Sequence, residues 1–274
     1  MSIFNKEIPV GATALVTGAS SGIGLEFSRA LAALGINVLL VSNQQEQLDS
    51  AVSELRSMYP ALKFWAVYKN LADADAAESL LDFCHGNNID VDILINNAGI
   101  FNFNAITDTS ASRLNLYIDL HMRAVTQLSR AFAIDMKQRG CHGYIFNMSS
   151  MSCWMPYPGI AAYSATKAYI RVLSRAMYYE LKDDGISVTV ACPGGIATEL
   201  FGLSARLRRF AVNIGVLVTP QKFVRRALRR IFNRRKQYIN GLLNRIAIVV
   251  VSIMPTPVVM SVKHQILSRY ATKH

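Results

Sequence analysis

Ala12-Thr13-Ala14-Leu15-Val16-Thr17-Gly18-Ala19-Ser20-Ser21-Gly22-Ile23-Gly24 is the stretch that decides the fold. Its first six residues read as a short buried strand. A glycine-rich turn follows, then a helical run to about Leu34 that Gly35 ends. The glycines let the backbone turn tightly and come close to a pyrophosphate. The helix start offers free N–H groups and the positive end of a dipole. The spacing is G-x-x-x-G-x-G, not the commoner G-x-G-x-x-G. Placed at the first strand–helix junction of an α/β pattern, such a turn points to nucleotide binding.

The pattern repeats down the chain. Asn37–Val41 reads as a second strand, with a helix through about Met58. Lys63–Tyr68 is a third, followed by Asn70-Leu71-Ala72-Asp73 and a helix to about His85. Ile93–Ile95 is a fourth, ending in Asn96-Asn97-Ala98-Gly99. One long helix is expected over about Ser110–Arg139. Tyr144–Met148 is a fifth strand ending in Ser149-Ser150, and a helix runs over about Ile160–Leu181. Ser187–Ala191 is a sixth, ending in Cys192-Pro193-Gly194-Gly195. Strands alternating with helices predict an α/β fold with a doubly wound parallel sheet, Rossmann-like. In such sheets ligands sit beyond the carboxyl ends of the strands, so the polar clusters just named converge.

The 274 residues suit one large α/β domain, and half of them are apolar. The cysteines Cys84, Cys141, Cys153 and Cys192 form no C-x-x-C pair and read as reduced thiols of a cytoplasmic protein. The first ten residues lack the basic-then-apolar pattern of a secretory signal, and no apolar run reaches the ~18–20 residues that span a bilayer. No metal ion enters the reading.

Tyr163 and Lys167 stand four apart on a predicted helix and share a face. A Lys beside a Tyr favours the phenolate and makes the phenol a workable proton donor and acceptor. Alone, such a pair arises by chance in many amphipathic helices. Its company decides its meaning.

Taken together, these residues resemble the short-chain dehydrogenase/reductase family over roughly residues 10–200. Thr17–Gly24 matches its cofactor turn, Asn96–Gly99 its central-strand motif, and Tyr163-x-x-x-Lys167 its catalytic pair. Ser150 stands where the family carries its catalytic Ser, and Pro193-Gly194 with Thr198 matches the segment closing over the nicotinamide. The resemblance implies hydride transfer between a nicotinamide cofactor and an alcohol/carbonyl pair. Tyr163 would give the proton, Ser150 would bond the same oxygen, and Lys167 would lower the Tyr pKa and hold the ribose. Gly18, Ser20, Ser21, Gly22, Ile23, Gly24, Asn43, Asn70, Leu71, Asn97, Ala98, Gly99, Pro193, Gly194, Ile196 and Thr198 would line the cofactor. A dimer or tetramer is also implied.

Two positions depart from the family. His121 replaces an Asn that usually holds a backbone kink and a water-borne proton route. It reads either as a proton relay or as a residue that only packs and hydrogen-bonds. Asn70 replaces an Asp that faces the adenine, although an amide carbonyl also accepts that bond. With Ser42 and Asn43 neutral, NADP(H) is favoured over NAD(H), and no Arg is seen to clamp a 2′-phosphate.

The charge is uneven. Residues 200–274 hold 15 Lys and Arg and no acid, while the first 199 residues hold the other 14 and all 18 acids. Residues 1–240 are read as the dinucleotide-binding and catalytic domain, with a substrate lid over about 199–219. Residues 241–274 are read as a basic, apolar extension. Gln221–Lys236 reads as an amphipathic helix with an arginine-rich face, before a last edge strand at Gln237–Ile239. The tail resembles those of family members that act on lipophilic substrates. Three readings of this quarter stay open: packing or dimerisation, peripheral contact with a membrane surface, and contact with phosphates of a carrier-bound substrate. Nucleic acid fits worst, since no aromatic-interleaved motif accompanies the charge. The function expected is oxidoreduction of a bulky lipophilic ketone or secondary alcohol, of the 3-keto lipid or ketosteroid type. The alternative is a catalytically weak, membrane-associated dinucleotide-binding sensor or scaffold.

Overall fold

Seven parallel strands lie in the order β3-β2-β1-β4-β5-β6-β7 in the computed structural model. It describes residues 11–197, 212 and 217–261, those at 242 and 243 as backbone only. Thr198 and residues 199–211 and 213–216 of the expected lid lie outside the described residues, as do 262–274. The strands are β1 Thr13–Thr17, β2 Asn37–Ser42, β3 Phe64–Tyr68, β4 Ile93–Asn96, β5 Tyr144–Met148, β6 Ser187–Ala191 and β7 Gln237–Tyr238. The helices are α1 Gly22–Ala32, α2 Gln45–Met58, α3 Ala76–Gly86, α4 Ala111–Tyr117, α5 Ala124–Gln138, α6 Ala161–Glu180, α7 Pro220–Phe232 and α8 Leu242–Ser252.

Alternation along the strands explains the layers. Ala14, Val16, Val38 and Leu40 point to one face, where Phe27 and Leu31 of α1, Leu55 of α2 and Phe223 of α7 close the core. Leu15, Leu39, Val41 and Leu94 point to the other, against Leu80 of α3, Phe132 of α5 and Met177 of α6. Both faces are covered, so the strands read as unbroken apolar runs. Phe27 ties the first face together, its ring 5.1 Å from Phe146 and 6.5 Å from Phe223. Truncating it to Ala would cost about 3–5 kcal/mol. The strand order reverses between β1 and β4, and the crevice at their carboxyl ends is where a dinucleotide-binding sheet takes its ligand.

The helix expected over Ser110–Arg139 runs unbroken from Ala111 to Gln138, but its interior is not regular. It is α4 and α5 joined by a π-helical turn at Ile118–Arg123. Period counting misses such a turn because one extra residue does not break the apolar pattern. π-turns often mark functional sites, and this one carries His121 inward to full burial. The arginine-rich helix also stops earlier than Lys236. It ends at Phe232, and Arg234 takes a left-handed φ of 53° to turn the chain into β7.

Candidate active site

Thr17 binds the ends of β1 and β4 together. Its Oγ1 accepts from the N–H groups of Asn97 and Ala98 at 3.0 Å each and donates to the Ile95 carbonyl at 3.3 Å. Asn97 Nδ2 donates back to the Thr17 carbonyl at 3.0 Å. This clamp brings the turn so close that a Cβ on Gly18 would lie 3.0 Å from Ala98 Cα, and one on Gly24 would strike the Gly18 carbonyl. Gly22 differs. Its φ is +55°, and a Cβ there would meet nothing within 4 Å.

A cavity of about 680 Å³ opens in front of that turn. Gly18, Ser20, Ser21, Gly22 and Ile23 form one wall, Asn97, Ala98 and Gly99 another, and Asn43, Asn70 and Leu71 the far end. The first intrahelical bond of α1 runs from Leu25 N–H to the Ser21 carbonyl, and the Ser21 side chain caps nothing. The N–H groups of the first turn therefore face the cavity unpaired by the helix, a seat for a pyrophosphate. These residues fit a nicotinamide dinucleotide.

At the far end the side chains are more engaged than their types suggest. Ser42 is buried; its hydroxyl donates to Ser20 Oγ at 2.8 Å and accepts from the Gln44 N–H at 3.1 Å. Asn70 Oδ1 accepts from the Ala72 N–H at 3.2 Å, which leaves one lone pair for a ligand. Lys69 also lines this end, and its Nζ pairs with Asp75 at 2.9 Å. Sequence reasoning missed it. The signal was faint: β3 ends at Tyr68, and only the register that sets Ser42 beside Tyr68 brings the next residue to the ribose end.

The opposite end of the cavity shares Ile23, Asn97, Gly99 and Ile100 with a smaller one of about 90 Å³. Ser150, Tyr163, Lys167, Pro193, Gly194 and Ile196 line that smaller space. Ser150 caps the 3-10 turn Met151–Trp154, accepting from the Ser152 N–H at 3.2 Å, so its own proton stays free to donate. It also stands beside the Tyr163 hydroxyl and favours the phenolate. Lys167 is buried, Nζ donating to the Met148 carbonyl at 3.1 Å and lying 5.5 Å from the centre of the Tyr163 ring.

Here the electrostatics correct an expectation. Burial pushes the Tyr163 phenol up to about 12, against the opposing pull of Ser150. Burial likewise brings the Lys167 ammonium down to about 8. Burial thus holds the phenol protonated and weakens the charge of the ammonium beside it.

His121 sits behind the pair. Its Nε2 accepts from the Ile100 N–H at 3.0 Å, so the imidazole proton is on Nδ1. Nδ1 then donates to Thr166 Oγ1 at 3.0 Å, and that hydroxyl donates to the Tyr163 carbonyl at 2.9 Å. Burial first, then the positive charges of Lys167 and Arg113, hold the imidazole pKa well below its usual value.

A glycine-turn dinucleotide cavity that ends on a Ser, Tyr and Lys defines a nicotinamide-dependent oxidoreductase. The short chain dehydrogenase family model matches residues 12–206, and the chain belongs to that family. Carbonyl reductase (NADPH) 2 of Sus scrofa is 34% identical over 190 residues, 69% of this chain and 74% of that protein. Very-long-chain 3-oxoacyl-CoA reductase of Neurospora crassa is 30% identical over 225 residues, 81% of this chain and 65% of that protein. A short-chain dehydrogenase from Sphingobium yanoikuyae in complex with NADPH superposes with a TM-score of 0.75 at 27% identity, covering 89% of this chain and 97% of that one. The chain is an NAD(P)-dependent oxidoreductase acting on a carbonyl/alcohol pair.

Proposed function

We propose that this enzyme reduces a bulky, lipophilic ketone of the 3-keto lipid or ketosteroid type, with NADPH preferred over NADH. One observation carries the reading: the buried Tyr163 side chain stands beside Ser150 where the dinucleotide cavity ends, against an aromatic wall. Phe101 meets the Tyr163 ring edge-on at 4.9 Å and Tyr117 lies at 6.3 Å. Nearby, the Tyr157 hydroxyl donates to Met254 Sδ at 3.0 Å, which ties the segment after α8 to the turn before α6. The NADPH carbonyl reductase and the very-long-chain 3-oxoacyl-CoA reductase among its relatives support the cofactor and the lipophilic substrate.

The bound nicotinamide supplies the hydride. Tyr163 gives its proton to the carbonyl oxygen, and Ser150 donates a hydrogen bond to that oxygen as its charge develops. Lys167 holds positive charge behind them and would hold the ribose of the bound cofactor. Gly22 and the start of α1 seat the pyrophosphate. Lys69 offers the 2′-phosphate a cation that Ser42 and Asn43 do not. His121 positions the pair: both its ring nitrogens are committed, so we assign it no part in moving the proton. We propose that any self-association uses the outer faces of α5 and α6, a reading supported by the exposure of Ile134 and Val172 there.

The test is NADPH oxidation with ketones graded by chain length and polarity, run beside Tyr163→Phe. Turnover that rises with apolar bulk and collapses in the variant supports the reading. No turnover across the panel, with tight cofactor binding, would replace it with a dinucleotide-binding sensor or scaffold.

A further inference from the structure

Helix α8 is apolar on two sides. One side faces the protein. Ile248 is buried, Asn244 lies against Gly194, and Ser252 Oγ reaches the Trp154 carbonyl at 3.5 Å. This face closes over the turn that follows Ser150. The other side carries Ile246, Val249, Val250 and Ile253, spaced i, i+3, i+4, i+7, at 54%, 61%, 52% and 75% exposure. At about 100° per residue these four fall within one narrow stripe, opposite Ile248. Val258 and Met260, in the helical residues 256–261 that follow, are exposed as well. A water-facing helix would carry polar residues there.

Charge says what covers this stripe. Arg245 is exposed on its rim. Arg226 and Arg230 stand one turn apart on α7, on the stripe begun by Phe223, whose ring stacks on Tyr238 at 5.5 Å. Arg226, Arg230 and Arg245 each pull against the burial that raises the Tyr238 phenol, so all three charges lie within reach of that residue. None of them pairs with a carboxylate among the described residues. A second copy of the chain would bring this same patch against itself, since a two-fold interface is self-complementary. Arginine would then face arginine. An anionic lipid surface offers the opposite charge to the rim and an apolar layer to the stripe. Among the described residues no helix is long and apolar enough to cross a membrane, so the contact lies in the plane of the surface.

We infer that the outer face of α8, with Arg245, Arg226 and Arg230 at its edge, docks the enzyme on an anionic lipid surface. Docking sets the Ser150–Tyr163 site near the bilayer, because Asn244 on the inner face of the same helix packs on Gly194, which lines that site. The inference stands on the face and its charge, not on the identity of the ketone.

Flotation of the full chain with phosphatidylcholine vesicles, with and without phosphatidylglycerol, tests it. The expected result is co-flotation with the anionic vesicles, weakened by salt. The double variant Val249→Asp/Ile253→Asp should lower partitioning by about tenfold or more, and Arg245→Glu should weaken it on anionic vesicles only. Both substitutions lie on solvent-facing positions, and unchanged far-UV circular dichroism and unchanged NADPH binding serve as the folding control. Equal partitioning of wild type and double variant would overturn the inference. So would a lipid-free dimer, seen by light scattering, that the double variant splits; that result would give the face to a second copy.

Discussion

The Ile100 backbone N–H donates to Nε2 of His121 at 3.0 Å. A backbone amide can only donate, so this one bond sets the tautomer and sends the other proton through Thr166 to the Tyr163 carbonyl. His121 is thus a strut between the loop after β4 and the catalytic helix.

That makes a specific claim about His121→Asn. The pH–rate profile of reduction should keep its fall above about pH 8 where it is, while kcat falls with the geometry of Tyr163. Displacement of that fall, or a new limb, would restore the relay. His121→Ala leaves the half-buried Ile100 N–H without its imidazole acceptor and empties the ring's buried site, and should cost about 1–3 kcal/mol, read as a lower Tm.

Tyr163→Phe removes the proton donor and leaves the cavity intact. The expected loss in reductive kcat is about 10²–10⁴-fold, with NADPH affinity kept, as fluorescence titration would show. Ser150→Ala should cost less, since it removes one hydrogen bond to the oxygen and no proton.

The pH dependence follows from two opposed shifts. Burial holds Tyr163 up at about 12 and Lys167 down at about 8. As pH rises, the phenol keeps its proton and the first charge lost is that of Lys167. Losing that charge makes the phenol a poorer acid and leaves the developing alkoxide less stabilised. Reduction should therefore be level below about pH 8 and fall above it. Alcohol oxidation needs a group to take a proton and should rise over the same interval. Steady-state kcat/KM in both directions checks the signs. Reduction that climbs through pH 8 would show that the Lys167 charge opposes the step.

Lys69 is expected to read the 2′-phosphate. Lys69→Glu should raise KM for NADPH by about tenfold or more, the worth of a charge-assisted hydrogen bond, and leave KM for NADH nearly unchanged. Asp75→Asn releases Lys69 from its ion pair and should lower KM for NADPH. Parallel effects on both cofactors would mean that Lys69 serves only the end of β3.

Much of the site was legible because its parts are local. A strand, a glycine turn and a helix start are contiguous, and their chemistry is set by backbone shape, so Gly18–Gly24 could be read directly. Tyr163 and Lys167 share a helix face by spacing alone. Lys69 was not legible. Nothing near it in the chain marks it, and its place beside Ser42 depends on the pairing of β2 with β3. The π-turn at His121 escaped for a related reason: local pattern carries no record of which backbone bonds open when a helix packs against α6.

The sequence by itself determined the strand–helix alternation, the cofactor turn, the Ser, Tyr and Lys, and the acid-free last quarter. These are properties of residue order, period and count. Tertiary structure alone decided the rest. It decided that burial, against the opposing pull of Ser150, sets the proton affinity of Tyr163, because desolvation is a property of the packed interior. It decided which proton His121 carries, because the Ile100 amide that selects it lies 21 residues away in the chain. It also decided which side of α8 faces water, because only packing against the turn after Ser150 distinguishes its two apolar faces.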